Sequence, residues 1–178
     1  MAISLRSTIL AQIGWTWNDQ ENDVTMTDSN KLVSSQELSS GTGTNQADCV
    51  WHEESQVLAI GESTTWELDA LTKSFFGDTI TIQLLTIKAI LILNKTATSG
   101  GTLVVGGASS NQWYSAFNAA DNKVKIEAGG LLLMSNPGDG WAVSAGSTDL
   151  KIESTGGNVT YDVAIIGTMN AAGGSSGA

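Results

Sequence analysis

Apolar and polar residues alternate along most of this chain with a period of two. From Ile3 to Trp17 the odd positions read Ile3, Leu5, Ser7, Ile9, Ala11, Ile13, Trp15 and Trp17, while the even positions are mostly Ser, Arg, Thr, Gln and Gly. Successive side chains of an extended strand point to opposite faces, so this stretch predicts one long half-buried strand, or two in line. The same alternation returns in Thr79–Ile82, Lys123–Glu127, Asp149–Glu153 and Val159–Ile165, each expected to lay one face on a core. Ile90–Leu93 and Leu131–Met134 are apolar at every position, which suits strands covered on both faces, within a sandwich or at a subunit contact.

Turn signals separate these runs at short spacing: Phe76-Gly77-Asp78, Ser99-Gly100-Gly101, Gly106-Gly107, Gly129-Gly130, Asn136-Pro137-Gly138-Asp139-Gly140, Gly146-Ser147 and Gly156-Gly157-Asn158. Short strands punctuated in this way predict an all-β single domain, a β-sandwich or jelly roll. One short helical stretch is expected between Glu67 and Phe75, where Leu68, Leu71 and Phe75 fall near helical spacing. Segments 18–30 and 34–46 are rich in Asn, Asp, Ser, Thr and Gly and read as acidic loops around a short strand at Val24–Met26. The resulting organisation is an N-terminal β arm with acidic loops over residues 1–40, a sandwich over 41–168 and a flexible Gly/Ser tail over 169–178.

Composition narrows the class. The chain has 178 residues, a formal charge of −10, one His, one Cys and one Pro. A single cysteine closes no intrachain disulfide, and Cys49 with His52 cannot supply a four-ligand Cys/His zinc site. Acid is concentrated early: residues 1–69 carry eleven acidic side chains against two basic, whereas residues 70–178 are nearly balanced. Nucleic acid is not an expected partner, because duplex binding draws most of its affinity from Lys and Arg. No apolar run is long enough to span a bilayer, so no membrane partner is expected. Met1–Arg6 lacks a basic stretch followed by an apolar one, and synthesis in a cytoplasm is the expectation.

Candidate chemistry is sparse. Cys49, His52, Glu53 and Glu54 could hold a divalent metal, but on a strand Cys49 and Trp51 would share one face and His52 the other. Asp19, Glu21 and Asp23 alternate like the start of a calcium loop. The EF-hand pattern fails at the sixth position, Val24, and the twelfth, Asn30. No Gly-x-Ser-x-Gly elbow, phosphate loop or dinucleotide fingerprint is present, and Glu67 with Asp69 is the kind of carboxylate pair that an acidic chain supplies by chance. The expectation is therefore no enzyme, no metal and no cofactor. Six tryptophans, four of them within the first 66 residues, point to core packing or to aromatic anchors at an interface.

The run Gly41-Thr42-Gly43-Thr44-Asn45-Gln46-Ala47-Asp48, then Val50-Trp51-His52 and Gly77-Asp78-Thr79-Ile80, resembles a family of small structural proteins of tailed-phage virions. The likeness continues through Ile87–Asn94, Leu103–Ala108, Gly129–Leu133 and Gly157–Gly167, covering roughly residues 41–167. The resemblance implies a capsid decoration (cement) protein with a jelly-roll-like body, often a homotrimer, bound to the major capsid protein on the outer head surface. It would be made in the host bacterial cytoplasm and localised to the virion. The apolar arm of Ile3, Leu5, Ile9, Ile13, Trp15 and Trp17 is the expected docking interface, with Leu131 and Leu133 at an oligomer contact. A carbohydrate-binding adhesion module, with tryptophans stacked on sugar rings, and a head–tail connector or tail component are the alternative roles.

Overall fold

The computed structural model describes residues 4–21, 24–75, 77–97 and 100–169. The chain is all-β, with no helix among those residues. Its strands in order are β1 (Ser7–Glu21), β2 (Val24–Ser40), β3 (Gln46–Ala47), β4 (Cys49–Leu58), β5 (Ser63–Glu67), β6 (Leu71–Phe75), β7 (Asp78–Ile82), β8 (Leu84–Asn94), β9 (Thr102–Val105), β10 (Val124–Ile126), β11 (Leu131–Ser135), β12 (Trp141–Ala142), β13 (Asp149–Thr155) and β14 (Val159–Met169).

Two sheets form the body, and neither closes into a barrel. One runs β11-β8-β14-β4, with β12 continuing the β11 edge of β8; the other runs β10-β9-β13-β5. All of their pairings are antiparallel: β4 with β14, β5 with β13, β8 with β11 and β9 with β10, while β14–β8 and β13–β9 complete each sheet. Alternate residues from both sheets meet in one core. Ile90 and Ile92 of β8 and Val163 and Ile165 of β14 share it with Leu103 and Val105 of β9 and Leu150 and Ile152 of β13. Trp51, Trp113 and Tyr161 are its largest fully buried side chains. Trp51 meets Trp66 edge-on at 4.7 Å between centroids, and its Nε1 donates to the Thr72 carbonyl at 3.0 Å. A Cβ at Gly101 would lie 2.2 Å from the Gly157 carbonyl oxygen, so glycine is what allows these two loops to meet.

Two expectations fail here. Residues 67–75 are not helical: β5 ends at Glu67, a turn follows, and Leu71–Phe75 pairs with β7. Its apolar spacing is satisfied in extended form, with Leu68 and Leu71 both reaching the core. Most of the sequence expected as acidic loops is strand among the described residues, with residues 41–45 alone forming a turn between β2 and β3. Residues 18–21 and 24–30 belong to a hairpin, in which β1 pairs with β2 from Ser7↔Leu38 to Glu21↔Val24 without a register shift. Polar residues satisfy one another across the strands: Thr16 Oγ1 and Ser29 Oγ lie 3.1 Å apart, and Thr27 Oγ1 donates to Asn18 Oδ1 at 2.7 Å. Cross-strand pairs of this kind let Ser and Asn remain in a sheet despite their turn preference, beside Thr, which favours strands in its own right. The Gly/Ser tail from Asn170 onward lies outside the described residues.

Candidate functional site

The hairpin is the feature that the core does not explain. Fifteen residues of β1 at ~3.3 Å each make a ribbon about 50 Å long. Cross-strand partners share a face, so its two sides can be read from the register. One side carries Ile9, Ala11, Ile13, Trp15 and Trp17 of β1 with Leu38, Leu32, Met26 and Val24 of β2, interrupted towards the tip by Asn30, Asp28 and Asp19. The other carries Thr8, Leu10, Gln12, Gly14, Thr16 and Asn18 opposite Glu37, Ser35, Val33, Lys31, Ser29 and Thr27, and is polar apart from Leu10 and Val33. Only the base of the apolar side is covered. Ile9 and Leu38 are buried with Ala47 and Ala89, and Leu5, Leu133 and Ile166 pack around them. Farther out Ile13 is 71% exposed and Leu32 69%, and Trp17, Val24 and Met26 also face solvent. Trp15 is tethered by its Nε1, which donates to Asp28 Oδ2 at 2.9 Å.

Beside the arm's base lies an apolar groove of about 880 Å³. Its wall is the edge of β1, since every residue from Thr8 to Ile13 contributes and none of β2 does. Its floor is the outward face of the β8 sheet: Ala89, Leu91 and Leu93 of β8, Leu131 and Leu133 of β11, and Ala164 and Ile166 of β14. A shallower recess of about 360 Å³ shares Leu91, Leu93 and Ala164 and ends in the polar rim of His52, Glu54 and Asp162. The outer side of this sheet is thus apolar at its centre and charged at its margin.

The structure draws the two expected interfaces together, with Ile9, Ile13, Leu131 and Leu133 lining one groove. Leu5 packs at the arm's base, and Trp15 and Trp17 lie beyond the groove on the same ribbon face. Ile3 is outside the described residues. Leu91 and Leu93, which form much of the floor, were signalled in the sequence by the unbroken run Ile90–Leu93: Ile90 and Ile92 fill the core, so their neighbours must face out.

The other candidates do not converge. Cys49 and Trp51 point into the core, whereas His52 points out, with Nδ1 3.5 Å from Glu54 Oε1. Burial, aided by the neighbouring Asp48 carboxylate, pushes the Cys49 thiol up to about 12, the environment of an inert thiol. Glu53 instead pairs with Lys73 at 3.1 Å. Glu67 closes β5 opposite Asp149, with Asp69 in the turn that follows, and both are exposed. Asp19 and Glu21 lie in β1 near the hairpin's far end, and Asp23 falls outside the described residues. Among the described residues no three His, Cys, Asp or Glu side chains gather as a metal site. Four of the six tryptophans belong to the body: Trp51 and Trp113 are buried, and Trp66 and Trp141 are partly so. The exposed indoles are those of the arm.

Comparison with protein-family models, with curated proteins and with solved structures returned no match.

Proposed function

We propose that this chain is a non-enzymatic structural protein of a tailed-phage virion, a decoration protein that binds the outer capsid surface as a homotrimer and stabilises the head. The reading of the body as a jelly-roll sandwich is supported by strand pairing. With the arm strands β1 and β2 and the short strands β3, β6, β7 and β12 set aside, the first of the eight remaining strands pairs with the last, the second with the seventh, the third with the sixth and the fourth with the fifth. A long antiparallel hairpin rolled into two sheets has this order, and the resemblance over residues 41–167 implies the same architecture. The arm supports this reading: a rigid body projects an amphipathic ribbon whose apolar side its own chain leaves uncovered, so another chain, a capsid subunit or a second copy, has to cover it. A protein that binds only the assembled shell shifts the assembly equilibrium towards it, and needs uncovered surface rather than reacting groups.

The test is to mix the purified chain with phage heads, count copies per particle and follow the temperature of head disruption. Hundreds of copies and a raised disruption temperature are expected. About a dozen copies at one vertex would instead assign a connector role. A sugar-binding role draws its support from Trp15 and Trp17, which share one exposed face; glycan binding lost in Trp17→Ala would favour it.

A further inference from the structure

The free edge of β1 is unprotected. Among the described residues β1 pairs with β2 and no other strand. From Ser7 to Asn18 it holds no charged residue and no proline, and its register with β2 contains no bulge. Charges, prolines and bulges are the devices that keep an edge from accepting another strand, and the edge facing the groove has none of them. The far edge of β2 is unpaired along most of its length, since β3 reaches it only at Ser39 and Ser40, although β2 carries Asp28, Lys31 and Glu37 where β1 carries no charge.

Three observations indicate what covers these surfaces. The first is size: Ile13, Trp15, Trp17, Val24, Met26 and Leu32 together expose on the order of 700 Å², above the largest patch of a typical monomer. With the groove floor added, this reaches the ~800 Å² per partner of a stable protein contact. The second is charge. The ribbon's far end carries Asp19 and Asp28, which an anionic lipid surface would repel. The third is matching of edges. β1 and β2 are rails of similar length running in opposite directions, so β2 of one copy can add antiparallel to β1 of another when both arms point the same way.

We propose that β2 of a second copy of this chain adds to the free edge of β1 and covers the groove floor at Leu91, Leu93 and Leu131, and that repetition of this contact closes a ring of arms with the apolar faces inward. Two copies would give a four-stranded ring and three a six-stranded one, each leaving no edge open, and because ring diameter grows with strand number the smaller is the less able to hold the indoles. The number three coincides with the homotrimer of the proposed function and rests on that reading; the edge pairing does not.

The test uses the full chain in solution, without phage heads. Its mass should be near three times 18.5 kDa. Ile13→Asp and Leu32→Asp, on the apolar face, should each dissociate it. Thr16→Asp adds the same charge to the opposite face of the same ribbon and should leave the assembly intact. Amide exchange supplies an independent reading. In a single chain every second β1 amide points to the open edge and exchanges rapidly; edge pairing slows successive amides from Thr8 to Trp17. A single-chain mass at tens of micromolar would overturn the proposal. So would an oligomer that survives both apolar-face variants with alternate β1 amides still fast. A single chain whose β1 amides slow only on phage heads would assign the arm to the shell, sparing the decoration role while refuting self-pairing.

Discussion

The arm and the body are built on the same alternation and end in opposite states. In β13 and β14 every second side chain is sealed: Leu150, Ile152 and Ser154, then Val159, Tyr161, Val163 and Ile165. In β1 the equivalent alternate residues Ile13, Trp15 and Trp17 face water, although their cross-strand pairing is unbroken. What differs is the second layer. In the body each sheet has an opposing sheet to receive its apolar face, whereas the ribbon has none beyond Ile9 and Leu38. Period two thus specifies which side of a strand requires cover, and topology decides whether the chain itself provides it. An isolated two-stranded ribbon gains little stability from its own pairing, so the arm's order depends on what it meets.

The largest expected effect separates the two regions by the same substitution. Trp51→Ala removes a buried indole, its edge contact with Trp66 and its hydrogen bond to Thr72, and should cost about 3–5 kcal/mol in urea unfolding. Trp17→Ala, made in an Ile13→Asp background so that single chains are compared, should change stability by less than about 0.5 kcal/mol, as for an exposed surface residue. A comparable cost at both positions would mean that the arm packs on its own body.

The same contrast explains what could be read in advance. The body strands from Asp149 to Ile165 were legible because turn residues bracket them and alternation marks their inner faces. The arm's first strand was legible for the same reason. Its second strand was legible only at Val24–Met26, because Asp28, Ser29 and Asn30 have turn-like chemistry and their partners, Trp17, Thr16 and Trp15, come from across the hairpin. The groove was half legible: Leu131 and Leu133 stand in an unbroken apolar run, but its other wall, the edge of β1, follows from tertiary placement that no local pattern encodes.

Polar residues should divide in the same way. Asn94 is buried where β8 ends, its Nδ2 donating to the Gly101 and Ile126 carbonyls at 3.0 Å each and its Oδ1 accepting from the Thr96 amide at 3.1 Å. Asn94→Ala leaves these groups without partners and should cost about 2–3 kcal/mol. Asn30 on the arm accepts from the amide of its neighbour Lys31 and is exposed. Asn30→Ala should therefore fall within about 0.5 kcal/mol of the parent.

Acid should reveal a body contact. Asp162 interrupts the β4–β14 register: its Oδ1 accepts from the Ser55 amide at 2.7 Å, and its Oδ2 lies 3.2 Å from Lys95 Nζ. The Ser55 amide first, and Lys95 after it, hold this carboxyl below the usual range for aspartate against the opposing effect of burial. A carboxyl lowered on folding contributes stability that is fully present above its unfolded value and is lost as pH falls through its folded one. Asp162→Asn should therefore be less stable than the parent near neutral pH, with the difference narrowing below the usual aspartate range. An unchanged gap down to strong acid would assign the effect to geometry instead of charge.

The smallest expected effect comes from two ion pairs of nearly equal length. Arg6 Nη2 and Glu37 Oε2 lie 3.2 Å apart at the arm's base with side chains 82% and 65% exposed. Lys73 Nζ and Glu53 Oε1 lie 3.1 Å apart with side chains 20% and 28% exposed, and the same ammonium donates to the His52 carbonyl at 2.6 Å. Distance alone would rank them as equals. Water and salt screen the first pair almost completely, and holding two long exposed side chains costs entropy, so a double-mutant cycle at Arg6 and Glu37 should give a coupling of about 0–0.5 kcal/mol that vanishes in high salt. The Lys73–Glu53 cycle should give about 1 kcal/mol and retain most of it, because the body shields both groups. Equal, salt-sensitive couplings would show that this margin of the body is as open to solvent as the arm.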